Sequence, residues 1–450
     1  MSQSLSNDYA RMVESALRAV GRIDDAPAGD AIWPRRPTLP SRPTDWVAVS
    51  GVVPTENALT AAVDEGWMVS LSPDPDVEAT SRPGPLGGLS VAVKDNIDVA
   101  GLPVRNGTEG ALWRNPEVSA AAWRALEGAG AHCVGKAAMH ELAWGVVTPQ
   151  IVNPVDRARI AGGSSGGSAA CVRAGVSSAA LGTDTGGSLR IPAALCGVVS
   201  IRPTTGVIDM QGITLLAPEQ DAVGPIAADV ATCGAMLEVL LGRRLEVEDA
   251  GGAKRPRRVG VLTRPEPLDE ETVAGYEAAC CRLEATGVEL VPFDTRLHST
   301  ASSVSFLRIL LSSARLYHDT LSGLGSGVSA ELRTLLAMGR QLEEHAPRID
   351  RARAVLTAET ARLFRGNALD AFLTPTVACV APRRGRSTVS VGGQELAVPA
   401  ALTRFTAWAS VVGMPAITVP APVPGLPVGV QIMAPPQGED VCLELGLRLE

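Results

Sequence analysis

Two glycine-flanked serine clusters fall within one short stretch, residues 161–205, which reads AGGSSGGSAACVRAGVSSAALGTDTGGSLRIPAALCGVVSIRPTT. Between the clusters, residues 168–174 are small helix formers and Gly175 is placed to cap their end. Residues 176–182 then form an apolar run of strand character that leads into Thr183, Asp184, Thr185, Gly186, Gly187 and Ser188. Glycine lets the backbone approach a ligand closely and lets consecutive N–H groups converge on one point. The stretch therefore predicts helix, strand and tight turn in succession, with a place for an anion or a developing oxyanion.

The rest of the chain alternates in the same way. Residues 89–93 have the continuous apolar character of an interior strand and end at Lys94, residues 117–130 read as a helix opened by Asn115 and Pro116, and 131–134 as the next strand. Further strand patterns lie at 198–201, 369–374, 416–419 and 427–433, and 441–450 reads as a closing helix. Between 262 and 368 the apolar residues recur at helical spacing, over 271–285, 303–317, 330–344 and 351–365. That region predicts helices that cover part of a sheet and shape a pocket. The N-terminal 82 residues read as an arm packed on the body, with a helix over 5–20, a proline-rich loop over 24–45 and a short helix over 57–66. Strands alternating with helices predict an α/β fold, a sheet with helices on both faces.

Composition narrows the function. With 46% hydrophobic and 20% charged residues the chain has the make-up of a soluble globular protein. A net charge of -8 and the lack of a basic run argue against nucleic acid or an anionic membrane as partner. No apolar run reaches spanning length and the N-terminus lacks a basic segment followed by an apolar one, so the expected location is the cytoplasm. The eight cysteines contain no CxxC pair and read as reduced thiols.

Each candidate for chemistry has a structural reading beside its functional one. Ser188 suits the N-cap of a following helix, or a nucleophile flanked by converging N–H groups. Lys94 suits a strand end paired with Asp95 or Asp98, or a lysine drawn into the core, where desolvation disfavours its charge and makes it a base. Ser164 and Ser165 suit a flexible glycine-serine loop, or part of the same site. Lys136 reads as structural, accounted for by a strand end after Val134. Residues 162–166 satisfy G-x-S-x-G, with His298, His318 or His345 to complete a triad, but no convincing strand runs into them. A phosphate loop would need G-K-[ST] after the glycines, and S-x-x-K occurs at none of the three lysines. The five histidines form no H-x-x-x-H pair, so no metal or other cofactor is expected.

Several ordered motifs then point one way. GGSSGGSAA, GTDTGGSLRIPAALCG and IRPTTG closely resemble the amidase signature family, as do VAVKDNID, GKAAMHELAWG and NPVDRARI upstream and QDAVGPIA, LDAFLTPT, VVGMPAITVP and LPVGVQI downstream. The resemblance runs from about residue 83 to the end, weakening between roughly 262 and 368. It implies one domain over 83–450 built on a large mixed β-sheet, and amide hydrolysis through an acyl-enzyme. Carried over residue by residue, Ser188 is the nucleophile, and Ser164, held by a cis peptide bond, bridges it to the base Lys94. The N–H groups of Thr185, Gly186, Gly187 and Ser188 surround the oxyanion, with Ser165, Asp184 and Arg190 in support. Cys196 matches a small buried position. Ala161, Ser200 and Thr232 depart from the family pattern, and none touches the relay.

The resemblance leaves the substrate open beyond a small-molecule amide. Met139, Trp144, Gly162 and Gly163 are candidates for binding it, and Arg308, Tyr317 and His318 for lining the pocket. Two other outcomes remain: acyl transfer to an amine acceptor, and a glutaminase-type subunit of an aminoacyl-tRNA amidotransferase. The chain ends at Glu450 without an extension, which favours a stand-alone enzyme, with a homodimer left open.

Overall fold

The computed structural model describes residues 3–23, 29–34, 54–73, 83–110, 112–247, 256–263, 267–321 and 327–450. In chain order the strands are β1 (Met68–Leu71), β2 (Ser90–Lys94), β3 (His132–Ala137), β4 (Ala179–Asp184), β5 (Val199–Arg202), β6 (Ala222–Ala227) and β7 (Arg258–Leu262). They continue as β8 (Glu289–Phe293), β9 (Ala371–Pro375), β10 (Thr388–Val391), β11 (Gln394–Ala397), β12 (Ala416–Pro420) and β13 (Gly429–Met433). The helices are α1 (Gln3–Gly21), α2 (Glu56–Asp64), α3 (Ala121–Gly128), α4 (Gly166–Arg173), α5 (Arg190–Cys196), α6 (Val230–Leu241) and α7 (Glu270–Ala285). After them come α8 (Leu297–Leu321), α9 (Ala330–Gln341), α10 (Ala346–Gly366), α11 (Val398–Thr403), α12 (Thr406–Val412) and α13 (Glu439–Leu449).

Eleven strands form one mixed sheet in the order β1-β3-β2-β4-β6-β5-β12-β13-β9-β7-β8, and β10 and β11 form a separate hairpin. Strand β2 runs parallel to β3 and β4, while β6 lies antiparallel to β4. Both faces are covered, as the side-chain alternation within β2 shows. Val91 and Val93 enter a core with Trp123 of α3, Met236 of α6, Leu283 of α7 and Leu443 of α13. Ala92, pointing the other way, joins Ala169 and Ala170 of α4 and Ala193 of α5. Farther along the sheet that second face packs Phe372 and Met433 against Leu307, Leu356 and Trp408 of α8, α10 and α12. Each large apolar side chain so buried contributes about 1.5–3 kcal/mol. No described helix is long and apolar enough to cross a membrane.

Local chemistry sets the helix ends. Asp229 accepts from Thr232 N at 2.6 Å, Asp269 from Thr272 N at 2.8 Å and Ser329 from Leu332 N at 3.1 Å, opening α6, α7 and α9. The helix expected over 117–130 starts only at Ala121, because tertiary hydrogen bonds hold the preceding chain extended. Ser119 Oγ accepts from Ala100 N at 2.9 Å, and Ala120 N and Ala121 N donate to Asp98 O and Gln211 O. The strand expected to end after Val134 continues to Ala137, so Lys136 lies inside β3 and not at its end. The expected strand over 176–182 is shifted forward to Ala179–Asp184. The helical stretch after 262 contains a strand, β8, which pairs in parallel with β7 and makes a strand–helix–strand unit around α7. Helix α1 docks on the body through Ala16 and Val20, and most of the loop read over 24–45 lies outside the described residues.

Candidate active site

Parallel pairing of β2 and β4 in the register Val93↔Leu181 puts Lys94 and Thr183 at one end of adjacent strands. Ligand sites of α/β sheets favour this carboxyl end. Lys94 is fully buried. Its Nζ lies 2.8 Å from Ser164 Oγ, 2.7 Å from Thr183 Oγ1 and 3.4 Å from Thr183 O. Burial lowers its pKa to about 7, against the pull of the Asp184 and Asp221 carboxylates. Lys136 is also fully buried, and burial lowers it to about 8 against the pull of Asp95. The two differ in what they face. Lys136 Nζ donates to the carbonyl of Ile97 and, at 3.5 Å, to that of Asp95, groups that can only accept. Lys94 faces two hydroxyls, which can accept a proton bond or give one.

The two serine clusters are stitched to this lysine. The Gly163–Ser164 peptide is cis, and the Ser164 carbonyl accepts from His140 N at 3.1 Å. Ser165 Oγ donates to Thr183 O at 3.1 Å, while Ser165 N donates to Ser188 O at 3.3 Å, tying the first cluster to the second. Ser188 is nearly buried, and no described side chain hydrogen-bonds its hydroxyl. Gly187 has φ +133°, and a Cβ there would stand 2.4 Å from Thr406 Oγ1, so the turn needs glycine for conformation and for space. Of the four N–H groups in the turn, that of Gly187 donates to Asp184 Oδ1 at 2.9 Å. Among the described residues those of Thr185, Gly186 and Ser188 have no acceptor.

Asp184 is the hub beneath the turn. Its two oxygens accept from Gly187 N, Leu189 N, Arg190 Nε and Nη2, Arg202 Nη1 and Ser410 Oγ, over distances of 2.9–3.3 Å. Burial works to raise this carboxyl, but the guanidiniums of Arg190 and Arg202 prevail and hold it well below the usual carboxylate range. Arg190 also donates to Thr406 O at 2.8 Å and Gln431 Oε1 at 3.0 Å, joining the turn to α12 and β13. Asp221, just before β6, accepts from Thr185 Oγ1 at 2.5 Å and from Leu216 N and Ala217 N at 2.8 and 3.0 Å. Its burial raises the carboxyl to about 6. Thr183, Arg202, Asp221 and Thr406 were not singled out from sequence. Arg202 and Asp221 stand in the IRPTTG and QDAVGPIA motifs, and the signal for both is a charged residue at the edge of an apolar strand pattern.

Ser188, Thr185 and Gly186 open onto a cavity of about 820 Å³. Its roof is α1, through Tyr9 and Met12, and Tyr9 Oη hydrogen-bonds Glu331 of α9 across it. Trp144, Phe306 and Ile309 give it apolar walls. Of the residues expected to bind substrate, Trp144 lines the cavity; Met139, Gly162 and Gly163 do not. A Cβ on Gly162 would stand 2.9 Å from Pro192 Cα and one on Gly163 2.8 Å from the Val147 carbonyl carbon, so these glycines serve packing. Arg308, Tyr317 and His318 also lie off the cavity. Arg308 pairs with Glu219 at 3.1 Å and with Asp350, and Tyr317 donates to Leu215 O. Among the described residues no group of three or more His, Cys, Asp or Glu could hold a metal ion.

A family model described as Amidase matches residues 57–443. Mandelamide hydrolase of Pseudomonas putida is 34% identical over 417 residues, covering 83% of this chain and 80% of its own. A glutamyl-tRNA(Gln) amidotransferase subunit of Halobacterium salinarum is 31% identical over 417 residues, covering 82% and 96%. A crystal structure described as an amidase superposes with a TM-score of 0.77 at 31% identity, covering 87% of this chain and 93% of that one.

Proposed function

Because this chain belongs to the amidase signature family, we propose that it hydrolyses small-molecule amides through an acyl-enzyme formed on Ser188. The observation that carries this reading is the fully buried Lys94, which burial moves to about 7 and whose Nζ lies 2.8 Å from Ser164 Oγ. A lysine poised near neutrality spends much of its time without a charge, and an amine in that form can take a proton. Lys94 accepts the proton of Ser164, Ser164 takes that of Ser188, and the Ser188 oxygen attacks the amide carbonyl. The N–H groups of Thr185, Gly186 and Ser188 then stabilise the oxyanion. Since Gly187 N donates to Asp184, its part is to fix the turn. The relay returns its proton to the leaving amine, and water hydrolyses the acyl-enzyme by the reverse path.

The alternative of a glutaminase-type subunit draws on relatives such as the Halobacterium salinarum protein. Cavity chemistry favours a different substrate. Glutamine is a zwitterion whose carboxylate needs a cation, whereas the described lining of the cavity offers for it only Arg404, beside Glu109, Glu141 and Glu331. Arg404 is itself engaged, donating to Pro267 O at 3.1 Å. With Trp144, Phe306 and Ile309 on its walls, the cavity suits an uncharged amide with an apolar body. The test is a panel of primary amides, aryl, alkyl and amino-acid, assayed for released amine with purified wild type and Ser188→Ala. Turnover of apolar amides, absent in Ser188→Ala, is expected. Turnover confined to glutamine or asparagine would overturn the substrate reading, and undiminished turnover by Ser188→Ala the mechanism.

A further inference from the structure

We infer that His140 recognises the substrate, presenting a neutral Nε2–H donor to the cavity, so that the accepted amide carries a hydrogen-bond acceptor beyond its reacting carbonyl. The inference rests on the amide-hydrolase reading and adds a feature of the substrate. Gly145 N donates to His140 Nδ1 at 2.9 Å. A backbone N–H can only donate, so Nδ1 holds a lone pair there and the imidazole keeps its one proton on Nε2. The Glu141 carbonyl, 3.3 Å from Nδ1, could accept only from a protonated Nδ1, and the shorter contact from Gly145 N, at 2.9 Å, takes the lone pair instead. The same contact excludes the imidazolium, in keeping with burial, which lowers the His140 pKa.

Among the described residues no hydrogen-bond partner of Nε2 is found, and His140 lines the cavity that Ser188 opens onto. Its position relative to the serines is fixed by the main chain, since His140 N donates to the Ser164 carbonyl at 3.1 Å. The ring also has a shaped seat. A Cβ on Gly145 would stand 2.3 Å from His140 Nε2, 2.4 Å from Cδ2 and 2.6 Å from Cε1. Only glycine at this position lets the imidazole lie where it does. An N–H left without a partner is costly once a ligand expels its water, unless the ligand brings an acceptor. The nearby carboxylates of Glu141 and Glu331 are occupied by Ser329 and Tyr9, which leaves the donor to the ligand.

The test compares kcat/KM over pairs of amides that share one apolar body and differ by an added hydroxyl, ether oxygen or ring nitrogen. Phenylacetamide and its 2-hydroxy derivative make one such pair. Wild type should prefer the acceptor-bearing member of at least one pair by about tenfold or more. His140→Phe should lose that preference, with the loss falling on KM, and His140→Gln, whose amide retains a donor, should keep part of it. Gly145→Ala should reproduce His140→Phe by displacing the ring, with circular dichroism checking the fold of each variant. A preference that survives in His140→Phe, or a rate that falls equally for both members, would overturn the inference. Labelling of wild-type Ser188 by phenylmethanesulfonyl fluoride separates the two levels. Turnover and labelling with no effect of His140 sink only this inference, whereas neither turnover nor labelling sinks the hydrolase reading and this inference with it.

Discussion

Replacing Asp184 by asparagine removes the carboxylate that pairs with both Arg190 and Arg202, all three fully buried. Six donors converge on the two carboxylate oxygens, whereas an asparagine amide offers one oxygen and turns an NH2 toward the rest. Two guanidiniums would then share the site without a counter-ion at hydrogen-bond distance. Breaking a buried ion pair by removing one partner costs about 3–5 kcal/mol, and this site lies at or above the upper end because two cations lose it together. Equilibrium urea unfolding should show the midpoint falling by roughly 1 M or more, given a slope of about 3 kcal/mol per molar. The pH dependence has a definite sign. A carboxyl held below its unfolded value contributes stability in full above that value and loses it only as pH falls through the folded pKa. The gap between wild type and Asp184→Asn should therefore stay flat above roughly pH 5 and narrow only in stronger acid. The double variant Asp184→Leu with Arg190→Met should be less destabilised than the sum of the single changes. A loss below about 1 kcal/mol in Asp184→Asn, or strict additivity in the double variant, would refute the reasoning.

The remaining expectations concern the turn and the relay. Ser188→Ala should abolish covalent trapping by a sulfonyl fluoride or phosphonate, and full labelling of that variant by mass spectrometry would remove Ser188 from the mechanism. Ser164→Ala should stay folded and lose about 100-fold or more in kcat, measured on an accepted amide. Because Lys94 acts in its neutral form and burial lowers it to about 7, kcat/KM should rise with pH through that value and level off above it. Lys94→Arg and Lys94→Ala should both be folded and nearly inactive, since a guanidinium stays protonated at any working pH; near wild-type turnover by Lys94→Arg would mean that only a fixed charge is needed. Gly187→Ala should destabilise by about 2 kcal/mol or more, from its φ of +133° and the 2.4 Å approach to Thr406 Oγ1, and an unchanged melting temperature would count against that account.

The parts legible in the sequence were those fixed by local pattern. The strand read over residues 89–93 is found one residue on, at Ser90–Lys94, buried along its whole length. The TDTGGS turn reads as a place where N–H groups gather, and of these the one on Gly187 is turned to Asp184 Oδ1. What sequence alone left open was decided by long-range contacts. Whether Lys94 ends in solvent or in the core depends on β4 lying beside β2, a pairing that Thr183 reaches from 89 residues away. The late start of α3 is set by Asp98 and Gln211, which no local helix signal can reveal. Strand β8 is masked in the sequence by its strongly helical neighbours, although ELVPF, two residues past Gly287, carries the composition of a strand. Met139, Gly162 and Gly163 sit beside the functional motifs in the chain but serve packing. Nearness in sequence to a site says little about facing it.

The burial of Lys94 and Lys136 also governs how the protein meets amine-directed reagents. The chain has three lysines, and the third, Lys254, lies outside the described residues. Succinimidyl esters and aldehydes, which react with exposed neutral amines, find both described lysines walled in by the sheet. Biotinylation or coupling to an amine-reactive support would thus spare the native core, and acylation at Lys94 or Lys136 would report opening of the sheet around β2 and β3. Measured as a rate by mass spectrometry, that modification gives a clock for unfolding that needs no substrate.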